Sequence, residues 1–528
     1  MSRSMPITDP SPQGRLAKES VWRLPSAFAA EELLAELKLS FDNSQGERDR
    51  SVTTWFDTFD WRLYSRGLLL YYDRTAWHLV HRDSGEEIAG IPDHGGGGWR
   101  FCRNFPVSRL RTLLEPLLAH RILLQLFRST VTTVSLSLLD REDKTVARLV
   151  AETHCPAGAD REIHALRLRG VRGYDDDFER IRSFLNERGI REEVGPCFFF
   201  DEGVQSGGRT PLDYSARFRP ALRETMTARE ALIMIYRDLL AAMQANEQGM
   251  IDDLDTEFLH DFRVAVRRTR SGLGQIRKVL PAEPTNTFRR EFAWLGEITG
   301  PTRDLDVYLL EEAGYLARLP EELRPALASY FAELRSRRLA ERKRLVRRLR
   351  SARYRKLIAD WQEFLTEGGG GEPSKKSGMP VLELAGKIIT RRFTEMVRAG
   401  EKITPASPEE KYHQLRIQGK KLRYILEFFS ALFPEKEGET AIKALKRLQD
   451  NLGMFNDLTV QQNALREHLV SLSPGSRRNL RLAAAIGGLL TSLGDEQVRV
   501  REEFTAQFAE FSLPANAVLY RKYCQGKG

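Results

Sequence analysis

The chain has 528 residues, 29% of them charged and 41% hydrophobic, which is enough for two to four domains that each bury a core. Lys and Arg outnumber Asp and Glu by 82 − 73 = 9, so a polyanionic partner is favoured, although net charge alone identifies none. The sequence has no C-x-x-C pair, no apolar signal-peptide core and no run of 18 apolar residues, which argues against a zinc site, a disulfide framework, secretion and a membrane span. We therefore expect a cytoplasmic protein with reduced thiols.

The first domain is predicted to mix α and β structure. Residues 1–17 are polar with Ser and Pro, which predicts a disordered tail ahead of a domain at 18–205. Strand patterns occur at 18–25, within 53–92 and at 129–139, 144–154 and 162–171. Helical patterns occur at 29–41, 107–124 and 174–189.

A W-F-D-T motif at Trp55–Thr58 is followed by R-L-Y-S-R-G-L at Arg62–Leu68. With a strand and a helix before it and paired strands after it, this pattern resembles the CYTH family of triphosphate-tunnel proteins. The resemblance implies an antiparallel β-barrel that binds triphosphate and metal ions inside its tunnel.

Three departures from the family pattern argue that this tunnel has lost its chemistry. Val21 stands where the family motif E-x-E-x-K has a metal-binding carboxylate, Leu70–Asp73 replaces an L-R-x-R strand, and His81 replaces a lysine. Metal-assisted hydrolysis of phosphates needs such carboxylates and cations. We therefore predict a degenerate barrel with no catalytic residues, no metal site and no cofactor, with an altered surviving activity and a misassigned domain as the alternatives.

The remainder of the chain is predicted to be helical and to fall into two halves. A linker is expected at 206–213, the halves at 214–367 and 379–520, and a flexible linker rich in glycine at 368–378. Within the first half, helices are expected at 287–295, at 304–319 and from about 321. Residues 335–356 carry 12 Lys or Arg and one acid, which is either a second polyanion surface or a solvated helix face.

The segment from residue 260 to 281 is an amphipathic helix with one basic face. At about 100° per residue, one stripe collects an imidazole and three guanidinium groups, and the apolar residues fall on the opposite side. The basic stripe consists of His260, Arg263, Arg267 and Arg270.

The same pattern recurs 153 residues later, beginning at His413 because 413 − 260 = 153. The match runs without a gap over 48 residues and pairs G-P-T-R-D-L-D-V at 300–307 with G-M-F-N-D-L-T-V at 453–460. A repeat of this length predicts two fused halves facing each other.

The motif H-x-x-R-x-x-x-[RK]-[RK]-x-R occurs twice, and each copy is followed by an R-D-L-D-V or N-D-L-x-V segment, within 300–307 and 453–460, which we call the acidic element. This pattern resembles the CHAD family, the conserved histidine α-helical domain. The resemblance covers about residues 214–520. It implies two four-helix halves about a pseudo-twofold axis and a basic surface that binds inorganic polyphosphate. The predicted fold is thus a multidomain α+β protein, an antiparallel triphosphate-tunnel-like β-barrel followed by an all-α duplicated pair of four-helix bundles.

We predict a polyphosphate-binding groove lined by the two basic helices. Guanidinium suits this ligand because its fork reaches two oxygens and it stays charged at cellular pH. The predicted groove residues are His260, Arg263, Arg267, Arg268, Arg270, His413, Arg416, Lys420, Lys421 and Arg423. Asp304 and Asp457 are expected to cap a helix or to bridge to the basic helix.

The leading hypothesis is a non-enzymatic protein that binds inorganic polyphosphate and is targeted to, or organises, polyphosphate granules, without a membrane partner. One rival is a triphosphatase or polyphosphate hydrolase that works through the N-terminal barrel. The other is a general nucleic-acid-binding protein, which the absence of a recognition-helix, RNA-stacking or zinc-finger motif disfavours.

Overall fold

The computed structural model describes residues 18–522 except positions 26, 94–97, 160, 189, 191, 193–194, 196, 372–373, 434 and 474. The chain divides after Ser215 into two compact units, each with its own core. The predicted disordered tail at 1–17 lies outside the described residues, as does Cys524. No helix in the described part of the chain combines the length and the apolar character needed to cross a bilayer.

The first unit is built on one antiparallel sheet flanked by short helices. Its elements are β1 (Glu19–Leu24), α1 (Ala27–Ser40), β2 (Asn43–Asp57), β3 (Leu68–Tyr72), β4 (Ala76–His81), β5 (Glu87–Pro92), α2 (Arg109–Leu118), β6 (Leu124–Leu139), β7 (Thr145–Pro156), β8 (Ile163–Gly170), α3 (Asp175–Asn186) and α4 (Phe199–Ser206), with 3₁₀ turns at Tyr64–Arg66 and Cys102–Asn104. The strand order is β1-β8-β7-β6-β2-β3-β4-β5. The predicted antiparallel β domain is confirmed, with one qualification. In the described residues β1 and β5 are edge strands, so hydrogen bonding does not close the sheet into a ring.

The second unit is all-helical, as predicted. Its helices are α5 (Ala228–Asp252), α6 (Thr256–Gln275), α7 (Ala282–Leu310), α8 (Glu312–Ala317), α9 (Ala328–Leu349), α10 (Ala352–Thr366), α11 (Val381–Gly400), α12 (Glu409–Phe428), α13 (Glu435–Ser471), α14 (Arg477–Phe511) and α15 (Pro514–Lys522), with 3₁₀ turns at Glu321–Leu327 and Ser430–Leu432. Three successive helices begin 153 residues apart in the two halves, since 228 + 153 = 381, 256 + 153 = 409 and 282 + 153 = 435. The sequence repeat is therefore also a repeat of the helical framework.

The predicted break between helices at 287–295 and 304–319 is wrong. Helix α7 is continuous and contains Pro301, although proline in a helix interior removes a hydrogen bond. Leu295, Ile298 and Leu305 are buried on both sides of Pro301. The packing of this continuous apolar stripe against α6 and α9 outweighs the local cost of the proline.

Both predicted linkers are tied to the body of the protein. In the segment 206–213, Arg209 donates to the backbone oxygen of Phe59 and Asp213 accepts from the Trp61 indole at 2.8 Å. In the described part of 368–378, the guanidinium of Arg229 donates to the backbone oxygens of Gly368 and Gly370 at 2.7 and 2.8 Å. These hydrogen bonds hold the backbone at Gly368 and Gly370, and a flexible linker at 368–378 stays a prediction.

Candidate anion-binding site

Helix α6 presents its basic face because its other face is buried. Asp255 caps the helix by accepting from the backbone amides of Glu257 and Phe258. Phe262 and Val266 are fully buried on the apolar side. The cost of withdrawing these apolar residues from the core fixes the rotation of the helix, so the opposite stripe of cations is directed outward.

Helices α6 and α12 lie antiparallel and contact each other. The guanidinium of Arg268 binds the carboxylate of Glu427 at 2.6 Å, and the side-chain amide of Gln275 donates to the backbone oxygen of Lys421 at 3.2 Å. The contacts pass from 268 to 275 on α6 and from 427 back to 421 on α12, which establishes the antiparallel direction. The predicted pair of basic helices is thus a real interface between the two halves.

A cavity of about 1040 Å³ lies where α6, α7 and α12 meet. Helices α6 and α12 supply four of its cations, and the N-terminal part of α7 supplies two more. These six are Arg267, Arg270, Arg289, Arg290, Lys420 and Lys421. Within the described residues, none of the six has an acid within ion-pair distance. We call this set the cation cluster.

No ion pair neutralises the cation cluster in the described structure, although Glu283 also lines the cavity. Burial, together with repulsion from Arg416 and Arg267, lowers the pKa of Lys420 to about 8. The Nε atom of Arg267 is buried without a hydrogen-bond partner in the described structure. A bound anion would relieve both conditions, because it would neutralise the ammonium group and accept from the guanidinium.

Four of the ten predicted groove residues line this cavity, namely Arg267, Arg270, Lys420 and Lys421. Arg263 does not line the cavity. It donates to the backbone oxygen of Gly296 at 3.1 Å and to the Thr299 hydroxyl at 2.9 Å. Burial is the main cause that lowers the pKa of Arg263 to about 10. Arg263 therefore links α6 to α7, and its charge acts on Arg267 and Arg270 of the cation cluster.

The two predicted histidines are not among the residues that line the cavity. The Nδ1 atom of His413 lies 2.6 Å from the side-chain oxygen of Asn456. Arg416 forms an ion pair with Asp457 at 3.3 Å. In the second repeat, therefore, the His and the first Arg of the motif bind the acidic element of the next helix, α13.

Arg268 and Arg423, two further predicted groove residues, both bind Glu427. Arg268 Nη2 lies 2.6 Å from one carboxylate oxygen of Glu427, and Arg423 Nε lies 2.7 Å from the other. The guanidinium of Arg268 also lies over the Phe218 ring, 5.0 Å from its centroid. The ligand surface predicted at these two arginines is already occupied by a carboxylate of the protein.

The capping role predicted for Asp304 and Asp457 is wrong, and the bridging alternative fits. Both residues lie inside continuous helices, α7 and α13. Asp457 pairs with Arg416, and the charge of Arg263 acts on Asp304 to oppose the rise in pKa that burial causes. Interior helical positions have no free amides to cap, so the acids serve as partners for the basic helices.

Arg289 and Arg290 are site residues that the sequence analysis did not identify. They precede the acidic element on α7, and their side chains reach the cavity from the neighbouring helix. The repeat held a signal for one of them, since 290 + 153 = 443 and position 443 is Lys. The amphipathic pattern is confined to one helix, so it gives no information about the cations of the next helix.

In the first unit, the residues of the W-F-D-T motif have a structural role. The carboxylate of Asp57 is buried and accepts from the backbone amides of Thr58, Leu63 and Tyr64 at 2.6 to 3.0 Å. Burial raises the pKa of Asp57 to about 6, and these three hydrogen bonds oppose the rise. Asp57 therefore fixes the turn between β2 and β3.

Two acids on the sheet of the first unit bind one arginine. Arg167 binds Glu152 at 2.7 Å and Glu19 at 2.8 Å. Hydrogen bonds from His154 and the charge of Arg167 outweigh burial and lower the pKa of Glu152 to about 2. Val21, which faces Arg167 across the β1–β8 pair, supplies no charge. Within the described residues, no group of three or more His, Cys, Asp or Glu is placed to hold a metal ion.

The basic segment 335–356 is partly neutralised. Arg338 binds Asp253 and Asp306, and Arg353 binds Glu291. A second cavity of about 760 Å³ between the end of α5 and α9 is lined by four cations of this segment together with Asp252, Ile251 and Val346. Some cations of the segment are therefore structural and others line this cavity or face solvent, and a second polyanion surface at 335–356 stays a prediction.

Comparison with known proteins gives a family match for the second unit. The family model of the CHAD domain matches residues 235–466. The CHAD domain from the plant Ricinus communis is 27% identical, with 56% of this chain and 97% of that one covered and a TM-score of 0.47. PptA from Streptomyces chartreusis is 16% identical, with coverages of 54% and 100% and a TM-score of 0.42. The putative adenylyl cyclase HpAC1 from Hippeastrum, described as having a dominant triphosphatase activity, is 17% identical. That comparison covers 38% of this chain and 100% of the other, with a TM-score of 0.27. No curated protein matches the chain.

Proposed function

Since residues 235–466 of this chain match the CHAD domain, we propose that the protein binds inorganic polyphosphate in the cavity lined by the cation cluster. The observation that carries the proposal is a set of six cations from both repeats around one cavity, without an ion-paired acid in the described structure. The six positive charges repel one another in the free protein, and a bound polyanion would relieve that repulsion.

The form of the site favours a flexible chain of phosphates over a single small anion. A volume of about 1040 Å³ exceeds the space that one phosphate group requires, and the cations are distributed over three helices. Four of the six are arginines, which bind phosphate oxygens in pairs. Polyphosphate carries about one charge per phosphate and can contact several cations at once.

Nucleic acid is the less favoured polyanion. Proteins that hold single strands generally stack successive bases on several aromatic side chains. Tyr424 is the single aromatic residue among the described residues that line the cavity. The same cations could contact a nucleic-acid backbone, so competition between the two polymers must be measured directly.

We further propose that the chain binds polyphosphate without cleaving it. In the first unit, the acids Glu19 and Glu152 already bind Arg167, which opposes the recruitment of a divalent cation by these carboxylates. The test is phosphate release from tripolyphosphate with Mg²⁺ or Mn²⁺, where we expect none above the rate of a Glu152→Gln variant. Metal-dependent release that this variant abolishes would establish the rival hydrolase function.

The binding experiment uses labelled long-chain polyphosphate, the full chain and a salt series. An Arg267→Ala, Lys420→Ala double variant removes two cations from the cavity, so we expect at least tenfold weaker binding and a salt dependence lower by about two charges. Arg477→Ala with Arg478→Ala is the matched control, because both arginines are exposed at the start of α14 and do not line the cavity. Equal loss in both variants would contradict the proposed site.

Duplex DNA and RNA serve as competitors at equal phosphate concentration. We expect neither to displace polyphosphate, and ready displacement would identify the cavity as a general polyanion surface.

A protein that binds polyphosphate without cleaving it would accumulate at polyphosphate granules. Microscopy of the tagged chain in cells with and without polyphosphate tests this, and an unchanged distribution would contradict granule targeting.

A further inference from the structure

The antiparallel contact of α6 with α12 has two ends that the repeat relates to each other. Adding 153 to a position in the first repeat gives its equivalent in the second, so Gly274 corresponds to Glu427 and Arg268 corresponds to Lys421. The pair Arg268–Glu427 at one end is therefore equivalent to the pair Lys421–Gly274 at the other. A symmetric interface would treat an anion alike at both ends.

The two ends differ in one carboxylate. At the first end Glu427 binds Arg268 and Arg423, and its side chain is only 14% exposed. At the second end Gly274 has no side chain, Lys421 has no ion-pair partner in the described structure, and both line the 1040 Å³ cavity. The cations of the two ends correspond in position, but only those at the Gly274 end form no ion pair in the described structure, although Glu283 also lines the cavity.

We propose that Glu427 is a built-in anion that closes one of two equivalent phosphate sites and confines the ligand to the Gly274 end. This inference rests on the proposed function and assigns it an asymmetric site. The carboxylate of Glu427 occupies the place of a phosphate group, because it accepts from two guanidinium groups as a phosphate would. Glu427 therefore sets how many oxyanion chains the interface holds.

The same logic predicts that a carboxylate introduced at the equivalent position closes the open end. An added Cβ atom at Gly274 would meet no neighbouring atom within 4 Å, so a side chain can begin at this position without a clash. The test compares Gly274→Glu with Gly274→Gln, which has the same size without the charge. With tripolyphosphate as the probe, we expect at least tenfold weaker binding to Gly274→Glu than to Gly274→Gln.

The converse variant opens the closed end. Glu427→Ala frees Arg268 and Arg423, and Glu410→Ala makes the same charge change at an exposed position in the first turn of the same helix. Isothermal titration with tripolyphosphate is expected to give about one site in the wild-type protein and in Glu410→Ala, and about two in Glu427→Ala. Circular dichroism of each variant confirms that it is folded.

Two results would overturn the inference while leaving the proposed function intact. One is equal binding by Gly274→Glu and Gly274→Gln, and the other is a single site in folded Glu427→Ala, in each case with a wild-type protein that binds the probe. A wild-type protein that binds neither tripolyphosphate nor long-chain polyphosphate would overturn the proposed function itself, and this inference with it.

Discussion

Arg267 and Lys420 occupy equivalent positions in the two repeats, 420 − 267 = 153, and both side chains line the same cavity. The charge of Arg267 is one of the causes that lower the pKa of Lys420. The duplication therefore brings two like charges close together. Such an arrangement disfavours the unliganded state and favours a state in which an anion lies between them.

The first prediction is that polyphosphate binding weakens as the pH rises through about 8. The pKa of Lys420 is lowered to about 8 chiefly by burial, so the free protein loses this charge in mildly alkaline solution. A bound polyanion stabilises the ammonium form, and binding above pH 8 should take up about one proton. Calorimetry in two buffers of different ionisation enthalpy measures that uptake.

The control for this prediction is Lys420→Arg. Arginine stays protonated throughout the range, so the pH dependence between 7 and 9 should vanish while binding is retained. A pH dependence that persists in this variant would assign the proton to another group.

The lowered pKa of Lys420 also affects folding stability. An unfolded lysine titrates near 10.5, so the unfolded state binds more protons between pH 8 and 10.5, and this group's contribution to stability rises across that window.

The second prediction concerns Arg338, a cation of the basic segment that is structural. Its guanidinium binds Asp306 at 2.7 Å and also pairs with Asp253, and Asp306 is almost fully buried. Arg338→Met would leave the Asp306 carboxylate buried and unpaired, so we expect a loss of about 3 kcal/mol in the free energy of unfolding. Urea denaturation followed by circular dichroism provides the measurement.

Arg337→Met is the matched control, because Arg337 is exposed on the same helix and makes no ion pair in the described structure. We expect a change within about 0.5 kcal/mol for that variant. A loss of similar size in both variants would mean that the segment contributes through its total charge. In that case the specific pairs of Arg338 would carry no stability.

How far the sequence predicts this site is shown by the two basic helices. The 3.6-residue period and the 153-residue repeat placed Arg267, Arg270 and Lys420 on the basic faces of two helices and Lys421 at the edge of such a face, and the structure brings these four to one cavity. Periodicity is a local property, so it identifies which side chains share a face of a helix. It carries no information on what lies across from that face.

The features that were missed depend on contacts between distant segments. Glu427 contacts Arg268 across 159 residues, and the pairing depends on the antiparallel register of α6 and α12. The passage of α7 through Pro301 depends on packing against α6 and α9, which a proline rule cannot include. In both cases tertiary contact overrides a local signal.

The third prediction tests the structural role of Asp57 in the first unit. Asp57→Ala would leave three buried backbone amides, those of Thr58, Leu63 and Tyr64, without their acceptor. Each unpaired amide costs roughly 1–3 kcal/mol, so we expect the first unit to unfold at a markedly lower temperature than in the wild-type protein. Fluorescence of the unit's buried tryptophans reports that transition.

Asp57→Asn is the informative comparison, since its amide oxygen can still accept from part of the turn. We expect an intermediate loss of stability for Asn and a larger one for Ala, with polyphosphate binding by the second unit unchanged in both. If both variants melted as the wild-type protein does, the turn would not depend on this carboxylate. A loss of polyphosphate binding in a folded variant would instead place the motif in the ligand site.

The fourth prediction uses glycine to test the packing of α5 on α6. A Cβ atom added at Gly249 would lie 2.3 Å from the Phe258 ring, which is fully buried and cannot move aside without displacing the core. Overpacking of this kind costs about 1–3 kcal/mol, which exceeds the gain of up to about 1 kcal/mol from replacing a helical glycine by alanine. Gly249→Ala should therefore destabilise the second unit in urea denaturation.

Gly453→Ala in α13, where an added Cβ meets nothing within 4 Å, should instead be neutral or stabilising. Equal effects of the two substitutions would show that helix propensity, and not this contact, sets the stability at these positions.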